Sequence, residues 1–231
     1  MTVQEPLKHA ARRATVLAAV IAVLGWGAVA IELGISLHKS FAQGRSLTEA
    51  LFHFLRYFTI LTNIGIALLM TATTWRLARG RALPRASLYA AGLIYIVVVG
   101  ITYEAMLRRL WSPQGLQFYT DMTMHDVVPV LILVFWVAFA PKAPLTWSGP
   151  LRWLEFPAVY FAVTLAAGLL GADYPYGFLD ADKLGYPGVI GNAVVFLAAF
   201  YGLGLGVVAV ARLLSRGRLA SPAESEAIQE S

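Results

Sequence analysis

The chain has no cysteine. Disulfides, thiol nucleophiles and thiolate-bound metals are thereby excluded. Charge is scarce as well: Asp, Glu, Lys and Arg make up 13% of the residues, about half of what a soluble domain carries. What fills the sequence instead is apolar. Hydrophobic residues account for 58% of the 231, and mean hydropathy is +0.67. The apolar residues come in runs of about twenty, long enough to cross a hydrocarbon core of about 30 Å as helix. The pattern predicts an all-α, polytopic protein of the cell membrane.

Six spans are expected, over about 14–36, 50–74, 86–107, 124–140, 152–170 and 187–211. The first run is too long for a cleavable signal peptide and lacks an A-x-A site, so it is expected to remain as a span. Residues 1–214 then form one transmembrane domain. The polar tail 215–231 ("SRGRLASPAESEAIQES") is expected to be disordered.

Basic residues fix the expected sidedness. Lys8, Arg12, Arg13, Arg76, Arg79, Arg81, Arg85, Lys142, Arg152, Arg212, Arg216 and Arg218 share one side, twelve of the eighteen Lys and Arg. By the positive-inside rule both termini are cytoplasmic. The net charge of +5 is therefore a topology signal and not the footprint of a nucleic-acid partner. Eight of the thirteen acids then fall towards the outer side: Glu32, Glu49, Glu104, Asp121, Asp126, Asp173, Asp180 and Asp182. Of the intramembrane acids only Glu155 lies inward.

The outer half also receives an unusual stretch of the second span, "RYFTILTN" (56–63). On a continuous helix at about 100° per residue, Arg56, Thr59, Thr62 and Asn63 share one face. Thr59 would sit roughly 13 Å below the outer surface at 1.5 Å per residue. Polar groups inside a span are expensive and mark functional sites. Each also has a plainer reading: interhelical hydrogen bonds for Thr and Asn, and a snorkelling side chain for Arg56.

The stretch "DMTMHDVVP" (121–129) places His125 at the expected entrance of the fourth span. Histidine accepts a proton near neutral pH. Asp126 points about 100° away, so Asp121 or Glu104 is the better orienting partner. Pro129 cannot donate to the carbonyl of His125, which leaves that oxygen open to water or substrate. The plainer reading is an interfacial histidine bonded to a loop. His9, His38 and His53 have no comparable setting. With one candidate histidine and no H-E-x-x-H, no metal site is expected. No nucleotide-binding glycine loop or G-x-S-x-G is present, and "GLGLG" (202–206) reads as a site of close helix packing. The loop "GADYPYGFLDADKLGYP" (171–187), with Tyr176 near its centre, is rich in aromatics and turn residues and reads equally as a lid across the mouth of an outer pocket or as a simple interfacial loop.

"RYFTILTN", "MHDVVP" and "YPYGFLD", in this order, resemble the bacterial Pr-six-Pr membrane proteins. That group is similar in turn to the androgen-induced protein and the androgen-dependent TFPI-regulating protein of animals. The resemblance spans roughly residues 14 to 212. It implies an intramembrane hydrolase of lipidic esters, such as fatty acid esters of hydroxy fatty acids, without a cofactor. Thr59 matches the nucleophile and His125 the histidine. On that reading Arg56, Asn63, Glu104 and Tyr176 are candidates for substrate binding or for the oxyanion. The expected partners are membrane lipids and the ester itself. The alternative is a non-catalytic carrier or lipid-binding protein with a polar site in its outer half, where Glu32, Arg56, Glu104 and His125 form a relay.

Overall fold

A computed structural model of the protein describes residues 4–110, 112–142 and 145–219. Among these residues every regular element is a helix. The order is α1 (Gln4–Ala42), α2 (Leu47–Leu55), α3 (Phe58–Ala78) and α4 (Ala86–Thr102), then a π-helical turn at Tyr103–Leu107. After a loop come α5 (Leu116–Met122), a second π-helical turn at Thr123–Val127, and α6 (Val128–Ala138). The described residues end with α7 (Gly149–Trp153), α8 (Glu155–Leu169), a 3-10 turn at Gly177–Leu179, and α9 (Ala181–Leu219), kinked at Gly185. Five helical stretches are long and apolar enough to cross a membrane: Lys8–Ala42, Phe58–Ala78, Ala86–Leu107, Leu116–Ala138 and Ala181–Ser215.

The remaining expected span, 152–170, is a broken helix. Its break is chemical. Pro157 has no N–H to give to the carbonyl of Trp153, four residues back. That carbonyl is taken instead by the hydroxyl of Tyr95, at 2.7 Å. α7 and α8 meet at Leu154, and α8 alone has 15 residues.

The second span also differs from its expectation. It begins at Phe58, because α2 is a separate helix started by a capping box at Ser46 and Glu49. Tyr57 between them is extended, with φ −85° and ψ 126°. The break is held by tertiary bonds: the carbonyl of Arg56 accepts from Tyr160 Oη at 2.9 Å. A backbone group released from a helix needs such a partner when buried. The fourth span starts earlier than expected, at Leu116, so His125 lies well inside it and not at its entrance. α9 extends to Leu219, and residues 220–231 of the expected disordered tail lie outside the described residues.

The main core is formed where α1, α3, α4 and α6 meet. Ile21, Ile66, Met70, Ile94, Ile132 and Phe135 are almost fully buried there. A smaller cluster of Ala28, Val29, Phe54, Ile60 and Met124 underlies the end of the bundle where α2 begins. In the "GLGLG" stretch the close approach is made by Gly204 alone: a Cβ there would lie 2.8 Å from Pro150 Cβ of α7.

Candidate active site

The polar residues singled out in the sequence converge at the end of the bundle that carries α2 and both π-helical turns. Several of them line a cavity of about 460 Å³. Glu32, His53, Thr59, Asp121, His125 and Tyr176 are among the groups on its wall. α1, α2, α3, the two π-helical turns, α5 and the 170–180 connection all contribute. A second, smaller and apolar slot of about 40 Å³ adjoins it, walled by Phe58, Val98, Val99, Phe161, Phe196 and Phe200. Thr59, Leu107 and Tyr176 border both spaces.

Thr59 stands in the first turn of α3. Its N–H has no carbonyl within the helix to meet, as at every helix start. The hydroxyl of Tyr176 receives it at 3.4 Å, and lies 3.4 Å from Thr59 Oγ1 as well. Burial pushes the Tyr176 phenol above its ordinary range, so it is protonated and able to donate at neutral pH. The loop carrying Tyr176 is stacked in place: its ring lies at 5.1 Å and 5° to that of Phe178, and edge-on to Tyr57 at 5.8 Å.

His125 is fixed on one side of its ring. Nδ1 lies 2.9 Å from the carbonyl of Asp121 and 3.3 Å from its Oδ1. Both partners are acceptors, so Nδ1 is the nitrogen that donates, and in the neutral ring Nε2 is the one left to accept. Of the two orienting partners considered, Asp121 fills the role. Glu104 does not: it is half-exposed and pairs with Arg108, which also bonds Asp126 at 2.7 Å. Tyr103 donates to Asp121 Oδ2, and its ring stacks on the imidazole with centroids 3.9 Å apart. The carbonyl of His125 faces α4, where a Cβ on Gly100 would lie only 3.0 Å from it.

Thr59 and His125 thus face one cavity, yet no hydrogen bond joins them. The direct neighbour of the Thr59 hydroxyl is Tyr176.

Arg56 is not on the Thr59 face of α3, because the helix begins after it. Its guanidinium donates to the carbonyl of Asp173 at 2.8 Å and lies 3.1 Å from His53 Nε2. It fastens the loop of Tyr176 to α2. Asn63 is fully buried and gives its amide to the carbonyl of Thr59 at 2.9 Å, bracing the backbone below the hydroxyl. Neither Arg56, Asn63 nor Glu104 lies on the cavity wall.

His53, set aside in the sequence, does line the cavity. Its Nε2 accepts from Arg56, and its Nδ1 is buried without a partner. Burial, and then the charges of Arg56 and Arg45, hold its pKa below the ordinary histidine value. The i, i+3 spacing of His53 and Arg56, which puts both on one side of a helix, was the available signal. Glu32 accepts from Gln117 and Thr120, each at 2.9 Å. Among the described residues no three His, Asp or Glu gather into a set that would hold a metal ion.

In comparisons with protein-family models, curated proteins and solved structures, nothing matches this chain.

Proposed function

We propose that the protein is a six-span protein of the cell membrane that hydrolyses lipidic esters, with Thr59 as nucleophile and His125 as base. One observation carries the reading: Thr59 lies where a larger cavity, shared with His125 and lined in part by polar and charged groups, meets a narrow apolar slot. An ester of a lipid acid has this character, a polar carbonyl group joined to a chain.

The path of the chain supports six crossings. Asp173 and Tyr176 reach Arg56 and Thr59, while Arg212 near the end of α9 bonds the carbonyl of Leu145 at 3.3 Å. The chain therefore returns between these points, through α7 and α8 and again through α9. Together α7 and α8 extend about 30 Å at 1.5 Å per residue. Basic residues gather at the end opposite His125, which favours cytoplasmic termini.

In this reading Thr59 Oγ1 attacks the ester carbonyl and its proton passes to His125 Nε2, through a water where the two groups do not touch. The Tyr176 hydroxyl donates to the oxygen that takes the negative charge. Collapse of the intermediate expels the alcohol, which takes the proton from His125. Water, activated by the same imidazole, then cleaves the acyl-threonine and regenerates the hydroxyl. The resemblance to lipid-ester hydrolases points the same way.

The test is turnover of a lipidic ester by purified protein in nanodiscs, with Thr59→Ala and His125→Ala beside it. Loss in both variants supports the reading. Native turnover in either removes that residue from its role.

A carrier or lipid-binding function is favoured by one feature, the Thr59 hydroxyl being bonded to Tyr176 and not to His125. Ligand binding undiminished in Thr59→Ala, with no turnover in the native protein, identifies that case.

A further inference from the structure

We infer that Tyr103 is a positioning residue for His125, holding the imidazole by two separate handles. The inference rests on the reading of His125 as base. No motif in the sequence marked Tyr103, and it does not reach Thr59.

The first handle is the hydroxyl. Asp121 has two carboxylate oxygens, and they have different partners. Oδ2 receives the hydroxyl of Tyr103, while Oδ1 faces His125 Nδ1 at 3.3 Å. With Oδ2 occupied, the carboxylate cannot turn about its Cβ–Cγ bond without losing a hydrogen bond at a buried place. Asp121 is only 9% exposed and Tyr103 only 3%. The second handle is the ring. It lies 17° from parallel to the imidazole at 3.9 Å, so it restrains the tilt of the His125 plane. Hydrogen bonding selects which edge of the imidazole points to Asp121. Stacking selects the plane in which Nε2 is presented. Neither restraint alone fixes both.

Tyr103 is itself clamped. It opens the π-helical turn Tyr103–Leu107, and the guanidinium of Arg108 lies 4.8 Å from its ring centroid. Glu104 and Asp126 grip that guanidinium from the two turns. Two π-helical turns thus meet across Tyr103 and His125, and π-helical turns are frequent at functional sites. The charged groups facing the imidazole are Asp121 on its own helix and Glu104 after α4, held with Asp126 by Arg108; Glu32, Lys39 and Arg45 line the same cavity.

The experiment pairs kinetics with a spectroscopic reading of the stack. The protein is labelled with 13Cε1-histidine in nanodiscs, and His125 is assigned among the four histidines by His125→Gln. In the native protein the ring current of Tyr103 should displace the His125 Hε1 resonance upfield. Tyr103→Phe keeps the ring and removes the hydroxyl. It should retain the upfield shift and lose about tenfold in kcat, the scale of one buried hydrogen bond, with KM little changed. Tyr103→Leu removes both handles. It should lose the shift and on the order of 100-fold in kcat, the scale of a misplaced general base.

Native kcat in folded Tyr103→Leu, or an unaltered His125 resonance in that variant, overturns the inference. If Tyr103→Leu does not fold, native kcat in Tyr103→Phe overturns the hydroxyl handle. If the native protein turns over no ester, the hydrolase reading fails by itself. The resonance still decides whether Tyr103 holds the imidazole.

Discussion

The hydroxyl of Tyr176 lies 3.4 Å from Thr59 Oγ1, although 117 residues separate them in the chain. The contact joins the loop before α9 to the first turn of α3. It places a phenol that burial keeps protonated beside the proposed nucleophile. Tyr176→Phe should therefore lower kcat by roughly 100-fold, as loss of an oxyanion donor does, with KM nearly unchanged. Steady-state turnover of a lipidic ester checks this.

That loop depends on Arg56, which donates to the carbonyl of Asp173 at 2.8 Å. Only 14% of its side chain is exposed. Arg56→Ala should destabilise the fold by about 2 kcal/mol, the scale of a hydrogen bond from a charged group. Arg56→Lys should recover part of this, since a point charge cannot serve Asp173 and His53 together as a guanidinium fork does. Thermal unfolding in micelles measures both.

The helical class was legible because long apolar runs allow little else. The polar end was legible too, from the placement of Thr59, His125 and the 171–187 loop. What escaped was local geometry. Nothing in "RYFTILTN" announces that the helix stops at Arg56. The stop is held by Tyr160, more than a hundred residues later. A wheel drawn through the break put Arg56 and Thr59 on one face, and the structure separates them. The expected fourth span began at about 124, whereas the helical stretch begins at Leu116, with Gln117, Thr120 and Asp121 inside it. These three are satisfied by partners inside the bundle or in their own helix. Tyr103 carries no pattern by which its stacking on His125 could be read.

His53 supplies a pH dependence. Its pKa is depressed by burial and by the charges of Arg56 and Arg45, so the unfolded chain binds a proton more readily than the folded one. The stability this histidine contributes is present above the unfolded pKa, about 6.5. It is lost as pH falls from there towards the depressed folded value. The unfolding midpoint should drop over that window, and His53→Gln should flatten the drop. Midpoints measured between about pH 7 and pH 5 decide it.

Gly100 leaves room for the carbonyl of His125, and a Cβ at that place would lie 3.0 Å from it. Gly100→Ala should push the second π-helical turn away from α4 at a cost of about 1–3 kcal/mol. Turnover should fall more than the fold is weakened, because the shift moves the imidazole itself. Comparing kcat with the unfolding midpoint separates the two effects.

The most direct measurement is the site of covalent labelling. A fluorophosphonate that captures activated hydroxyl nucleophiles is allowed to react with the protein in nanodiscs, and the adduct is located by peptide mass spectrometry. We predict one adduct, on Thr59, absent in Thr59→Ala and strongly reduced in His125→Ala. Undiminished labelling in Thr59→Ala, or an adduct on another residue, contradicts the account.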